Sequence, residues 1–190
     1  MPLSYFLLDT YPGFFVLALP FGAAAWVICW LLSARQSPRA PLGQRLCRSF
    51  FAAYLTGLFC LTLLLDPLRM LWYRVLFGRG SAGVIPFFTG SFDFVPHPRK
   101  WLLDPECVTN ILAFLPFGAL CPPAQSGRSL GKTVLAGFLC SLTIELLQPV
   151  FGRACDVNDL LLNTLGALLG ALCYFAGRKI LALRRADKLV

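Results

Sequence analysis

Two neighbouring stretches decide the fold: LGKTVLAGFLCSLTIELLQPV, Leu130–Val150, and VNDLLLNTLGALLGALCYFA, Val157–Ala176. Each has about the 20 residues that a helix rising about 1.5 Å per residue needs to cross a hydrocarbon layer of roughly 30 Å. The linker between them, Phe151–Asp156, is short enough that the two helices must be antiparallel neighbours. Each carries one polar stripe on an otherwise apolar surface. In the first stretch it is Gly137, Ser141, Glu145 and Gln148, spaced four, four and three apart. In the second it is Asp159, Asn163, Gly166, Gly170, Cys173 and Gly177, alternating four and three. Gly166 and Gly170 form a small-xxx-small pair that admits another backbone closely. Approach of the two helices is expected to bring Asp159 and Asn163 toward Glu145 and Gln148.

Working outward, three further apolar stretches qualify as spans. Phe14–Ser33 is uncharged, Ser49–Leu65 is stopped by Asp66-Pro67, and Val108–Leu120 is short and interrupted by Asn110, Pro116 and Gly118. The expected fold class is therefore all-α, a polytopic transmembrane helical bundle of about five spans plus a short interfacial helix. Composition agrees: of 190 residues 57% are hydrophobic and 14% charged, against about 45–50% and about 25% in a soluble domain. These proportions argue against disorder, a nucleic-acid-binding domain or a secreted disulfide scaffold. The segment Met1–Gly13 has no Lys or Arg, so the first span reads as retained rather than as a signal peptide.

The charge map sets the expected orientation. Net charge is +8, and 11 of the 17 basic residues fall in three segments that five spans place on one side. They are Arg35, Arg39, Arg45 and Arg48; Arg128 and Lys132; and Arg178, Lys179, Arg184, Arg185 and Lys188. The positive-inside rule makes that side cytoplasmic and puts the N-terminus outside. Anionic lipids then suffice as partners for the basic segments, without a nucleic acid. Arg69, Arg74, Arg79, Arg99 and Lys100 lie in the long loop Asp66–Cys107, on the opposite side with Arg153. In that loop Leu68, Leu71, Trp72, Val75 and Leu76 follow a helical stripe that predicts a helix lying in the interface. Pro67 argues that it is broken from the second span. Val84–Phe88 is an apolar patch expected to dip toward the membrane.

A charged side chain within a span costs roughly 2.5–3.5 kcal/mol on insertion scales, so each one calls for an explanation. Glu145 stands five residues before Val150, about 7.5 Å inside the outer end of its span. At the same depth the spans and their connection supply Asn110, Gln148, Arg153, Asp156, Asp159 and Asn163. This cluster is the candidate functional site. Two readings are open: the groups satisfy one another and set helix register, with Arg153 neutralising a carboxylate, or they form an intramembrane site.

On these residues the chain resembles the VanZ-like family of bacterial membrane proteins. The matching pieces are Ile85-Pro86-Phe87, the run Asn110–Gly118, Glu145–Gln148, and Gly152–Asp159 continuing through Asn163–Gly166 to Gly170. Asn158 stands where family members often carry an acidic residue. The resemblance covers roughly Ser49–Phe175, which divides the chain into an N-terminal span with basic linker (1–48), a VanZ-like membrane domain (49–176) and a basic cytoplasmic tail (177–190). It implies a small all-helical protein of the bacterial cytoplasmic membrane; the founding member is associated with low-level resistance to the glycopeptide teicoplanin.

Three function classes compete. A non-enzymatic envelope protein would bind an amphiphile, such as a lipid-linked wall precursor or a lipoglycopeptide tail, in an outer-leaflet polar pocket. An enzyme acting on a lipid-linked substrate would use Glu145, Asp156 and Asp159 as acid and base. No Ser-His or Cys-His arrangement accompanies them, and His97, the one histidine, falls in a loop outside the cluster. A transporter or transporter subunit would show an internal repeat, which the sequence lacks. No cofactor is expected, and Arg153 beside the carboxylates argues against a metal site. The eight cysteines contain no CxxC pair. Cys107 and Cys155 fall at similar depth on the outer side, where a disulfide between them is open. Nothing in the sequence specifies an oligomeric state.

Overall fold

The computed structural model describes residues 10–37, 39–78, 87–98, 101, 104–125 and 127–187. Met1–Asp9, Arg79, Val84-Ile85-Pro86, Arg99, Lys100 and Lys188, all of which enter the sequence reading, lie outside the described residues.

The chain is an all-α helical bundle of six helices among the described residues: α1 Tyr11–Gln36, α2 Leu42–Thr62, α3 Leu65–Phe77, α4 Pro105–Ala124, α5 Leu130–Leu147 and α6 Val157–Ala186. A 3-10 turn, Gln148–Phe151, prolongs α5. Two-residue strands β1 Phe92–Asp93 and β2 Cys155–Asp156 pair in parallel, Phe92 opposite Cys155. Side-chain oxygens cap four helix starts: Thr10 for α1, Asp104 for α4, Ser129 for α5 and Asp156 for α6, each accepting a first-turn amide.

Among the described residues four helices are long and apolar enough to cross a membrane: α1, α4, α5 with its 3-10 extension, and α6. A fifth span is counted if α2 and α3, bent by 90° at their junction, are taken together. The bend falls at Leu63-Leu64, ahead of the Asp66-Pro67 stop read from sequence. Pro67 sits in the first turn of α3, where its missing N–H removes no helical bond. The span expected at Val108–Leu120 is a full helix of 20 residues, α4, with Pro116, Pro122 and Pro123 inside it. Pro122 is buried, and Pro116 and Pro123 are half-buried. The basic segments are helical where the sequence reading had linker and tail. Arg45 and Arg48 lie in α2, and Arg178 to Arg185 extend α6 ten residues beyond Ala176.

The tightest contact is between α4 and α6, which run parallel. A Cβ on Gly166 would overlap the carbonyl oxygen of Ile111, one on Gly170 that of Leu115, and one on Gly118 that of Ala167. Gly166 and Gly170 thus receive α4, not the α5 expected from sequence. The reason is that α5 reaches α6 on an adjoining face, where Gly137 meets the Ala167 methyl. Lower on the α6 stripe Cys173 is exposed and Gly177 faces open space. α2 closes the core against α4: Phe51 meets Phe117 edge-on at 5.3 Å, and the Tyr54 hydroxyl donates to Ala113 O at 2.7 Å. Phe114, Cys121, Ile144 and Ala167 complete the buried centre.

These pairings segregate charge. Arg48 Nε donates to Ala124 O at the C-terminus of α4 (3.0 Å), and Arg45 lies over the Trp30 ring of α1 at 4.4 Å. The start of α2 is therefore beside the ends of α1 and α4, and one end of the bundle collects the basic residues. The opposite, polar end holds the α2–α3 bend, the starts of α4 and α6 and the end of α5.

Gly170→Leu is expected to force α4 and α6 apart and to destabilise the fold by about 1–3 kcal/mol or more. Gly177→Leu, one face and two turns further along in open space, should leave it near wild type. Thermal unfolding of the detergent-solubilised protein compares the two.

Candidate functional site

The polar end is organised around Glu145, which is 2% exposed. Its Oε2 accepts the Asp156 N–H at 2.9 Å. The hydrogen-bonding pattern assigns the Gln148 amide nitrogen as a second donor, to Glu145 Oε2 at 3.0 Å and to Ala154 O at 2.8 Å. One buried carboxylate therefore anchors the whole α5–α6 connection. The turn that makes this geometry possible passes through Gly152, at φ 77°, a left-handed conformation that glycine adopts without penalty.

Asp156 passes the network on. Its Oδ1 accepts from Asn158 N at 2.7 Å, capping α6, and from Asn158 Nδ2 at 2.8 Å. Asn158 in turn reaches the long loop. Its Oδ1 accepts from His97 N at 2.7 Å and Trp101 Nε1 at 3.0 Å, while Nδ2 donates to Val95 O at 3.1 Å. The loop is also tied to the turn after α5 through Phe88 N to Val150 O, Gly90 N to Pro149 O and Cys155 N to Ser91 O. At Gly90 a side chain would collide with Pro149 and the Arg153 carbonyl. Residues 87–98 form a strap across the polar end.

The other candidates fall into two smaller groups. Asn110 Nδ2 donates to Asp159 Oδ1 at 2.5 Å, joining the starts of α4 and α6. Asn163, buried, donates to Ser141 Oγ at 3.0 Å, joining α6 to α5. All of Asn110, Glu145, Gln148, Asp156, Asp159 and Asn163 lie at the polar end. Arg153 is at the same end but is exposed and donates to Thr62 O at 3.1 Å, at the α2–α3 bend. Among the described residues no carboxylate stands within salt-bridge distance of it, so its charge reaches the Glu145 and Asp159 carboxylates only through space. Its direct bond is to one of the carbonyls at the end of α2, which lack helical partners.

Asn158 is the residue that sequence reasoning passed over as a site member. It lies about 100° round the helix from Asp159, off the Asn163–Gly166–Gly170 stripe. The available signal was its place two residues after a capping Asp, where a polar side chain can serve the loop rather than the bundle. His97 contributes its backbone to this network, and its side chain is exposed. Cys107 and Cys155 are both free thiols, and burial, then the Glu145 and Asp156 carboxylates, push the Cys155 thiol above its ordinary value. Among the described residues no group of three His, Cys, Asp or Glu side chains is arranged to hold a metal.

The class defined by this architecture is a multi-pass, all-helical membrane protein with a buried carboxylate-amide network at one end and basic residues at the other. The chain belongs to the VanZ/LLP1 family, whose model matches residues 51–181 and so includes every member of the network. It is similar to Protein VanZ of Enterococcus faecium, with 28% identity over 157 residues, 78% of this chain and 86% of that protein. No solved structure matches it.

Asn158→Ala removes the acceptor of two loop donors and frees the Val95 carbonyl. It should cost about 1–3 kcal/mol locally and accelerate amide exchange across residues 92–98, leaving α4 and the body of α6 protected. Hydrogen–deuterium exchange resolved by peptide reads this directly.

Proposed function

We propose that the chain is a VanZ-like protein of the bacterial cytoplasmic membrane that contributes to glycopeptide tolerance without enzymatic turnover. In this reading the polar end faces outward and binds an amphiphile, either a lipid-linked wall precursor or the tail of a lipoglycopeptide such as teicoplanin. The observation that carries it is the buried Glu145 network placed at the end opposite most of the basic residues, within the family-matched region. Intramembrane ionisable groups are costly to insert and so mark functional sites more often than chance packing does. Amides and carboxylates at that depth offer hydrogen-bonding partners for the hydroxyl and amide groups of a wall precursor or glycopeptide. The similarity to Protein VanZ of Enterococcus faecium supports the same direction.

The non-enzymatic reading is favoured by how the carboxylates are used. Glu145 accepts two hydrogen bonds on Oε2, and Asp156 caps a helix. Both hold the α5–α6 connection, and Asp159 holds Asn110, so all three carboxyls have structural partners within the bundle. Orientation follows from charge: with Arg35, Arg48, Arg128, Lys132 and the end of α6 on one face, that face is cytoplasmic and the N-terminus external.

Expression of the wild-type chain in a susceptible host should raise teicoplanin tolerance severalfold, and Glu145→Gln or Asp159→Asn at equal protein level should abolish the gain. Unchanged susceptibility in all three strains would rule out the resistance role. For orientation, a membrane-impermeant maleimide applied to intact cells should leave Cys47 unlabelled until the cells are lysed.

A further inference from the structure

The strap carries side chains that water does not suit. Phe87, Phe88, Phe92, Phe94 and Val95 are all exposed, Phe88 by 81%, and Phe92 and Phe94 stack with ring centroids 5.9 Å apart. Between Phe87 and Pro98 the only charged side chain is Asp93, and its Oδ1 accepts the Val95 N–H at 2.9 Å. The amides of Phe88, Gly90, Val95 and His97 are all bonded within the protein, so they need no water. At the same end of the bundle, α3 turns 90° from α2 and anchors on α1 through Leu68 and a Trp72 Nε1 bond to Leu17 O, while Leu71, Val75 and Leu76 stay exposed. The apolar belt of the spanning helices runs up to this level, through Leu146 and Leu147 of α5 and Val108 and Leu112 of α4.

We propose that the strap and α3 form a membrane-seated collar: Phe87, Phe88, Phe92, Phe94 and Val95, with Leu71, Val75 and Leu76, occupy the lipid interface around the polar end, and Asn158 pins the strap there. An exposed apolar surface of this kind marks a binding face. Its place above the lipid-facing belt, the perpendicular helix at the same end of the bundle and its four internally bonded amides single out a lipid surface as the occupant. The Arg69 guanidinium lies 5.6 Å from the Phe14 ring and pairs with Asp66 at 3.6 Å, so exposed Arg74 leaves α3 with one net positive charge to meet anionic headgroups. The collar holds the Glu145 layer at headgroup depth. It does not depend on the amphiphile reading, since it concerns bulk lipid and would stand if no glycopeptide phenotype were found.

The test is photocrosslinking of the full chain in nanodiscs of phosphatidylglycerol and phosphatidylethanolamine. Phe88→p-benzoylphenylalanine and Phe92→p-benzoylphenylalanine keep the aromatic ring at exposed positions, so folding is preserved; Leu139→p-benzoylphenylalanine, mid-span, is the lipid-facing reference. Lipid adducts at 88 and 92 in yields comparable with 139 are expected. Adding Asn158→Ala should lower the yield at 92 severalfold while sparing 139. Adducts only to a second protein chain, or no adducts at 88 and 92 while 139 reacts, would overturn the collar; an unchanged yield with Asn158→Ala would overturn the pin.

Discussion

The contact on which the rest of the structure depends is the approach of two helix backbones with almost nothing between them. Gly118, Gly166 and Gly170 let α4 and α6 meet at carbonyl oxygens. In a lipid environment no hydrophobic force drives such helices together, so close van der Waals packing must. Because the pair is parallel, it brings the N-termini of α4 and α6 to one level, and the Asn110–Asp159 bond lies there. The same ends are where the helices present free amides, and Asp104 and Asp156 cap them. Packing by glycine thus decides the depth at which polar chemistry collects.

From that level the buried Glu145 carboxylate carries order outward. It holds the Asp156 amide, Asp156 holds Asn158, and Asn158 holds the loop at Val95, His97 and Trp101. A charge or a polar group inside a span is expensive in isolation, and here each is satisfied by the next. The consequence is a loop of mostly apolar side chains fastened over a polar layer, at the end of the bundle away from most of the basic residues.

Much of this was legible from spacing. The apolar lengths predict the spanning helices, and the small and polar stripe of α5 is the face that is buried: Thr133, Gly137, Ser141, Glu145 and Gln148. The candidates Asn110, Glu145, Gln148, Asp156, Asp159 and Asn163 stand at one end because each lies near the same end of an apolar stretch, and the glycine contact of α4 with α6 brings those ends level. Helix ends were less legible. α2 begins among arginines and α6 continues through them, since charged side chains suit a helix that has left the hydrocarbon. The bend at Leu63-Leu64 carries no local mark, because Pro67 begins a helix as readily as it stops one.

Composition and spacing alone establish the membrane as solvent, the number of spanning helices to within one bent pair, the concentration of most basic residues at one end and most members of the polar layer. These follow from composition and period, which each residue carries locally. Which helix meets which emerges from the packing of the whole bundle. Gly166 and Gly170 receive α4 and not the sequence neighbour α5, Arg153 turns to Thr62 instead of a carboxylate, and Asn158 secures a loop some sixty residues away. A small residue or a hydrogen-bonding group announces that something will approach it, but the partner is chosen by how all the helices pack at once.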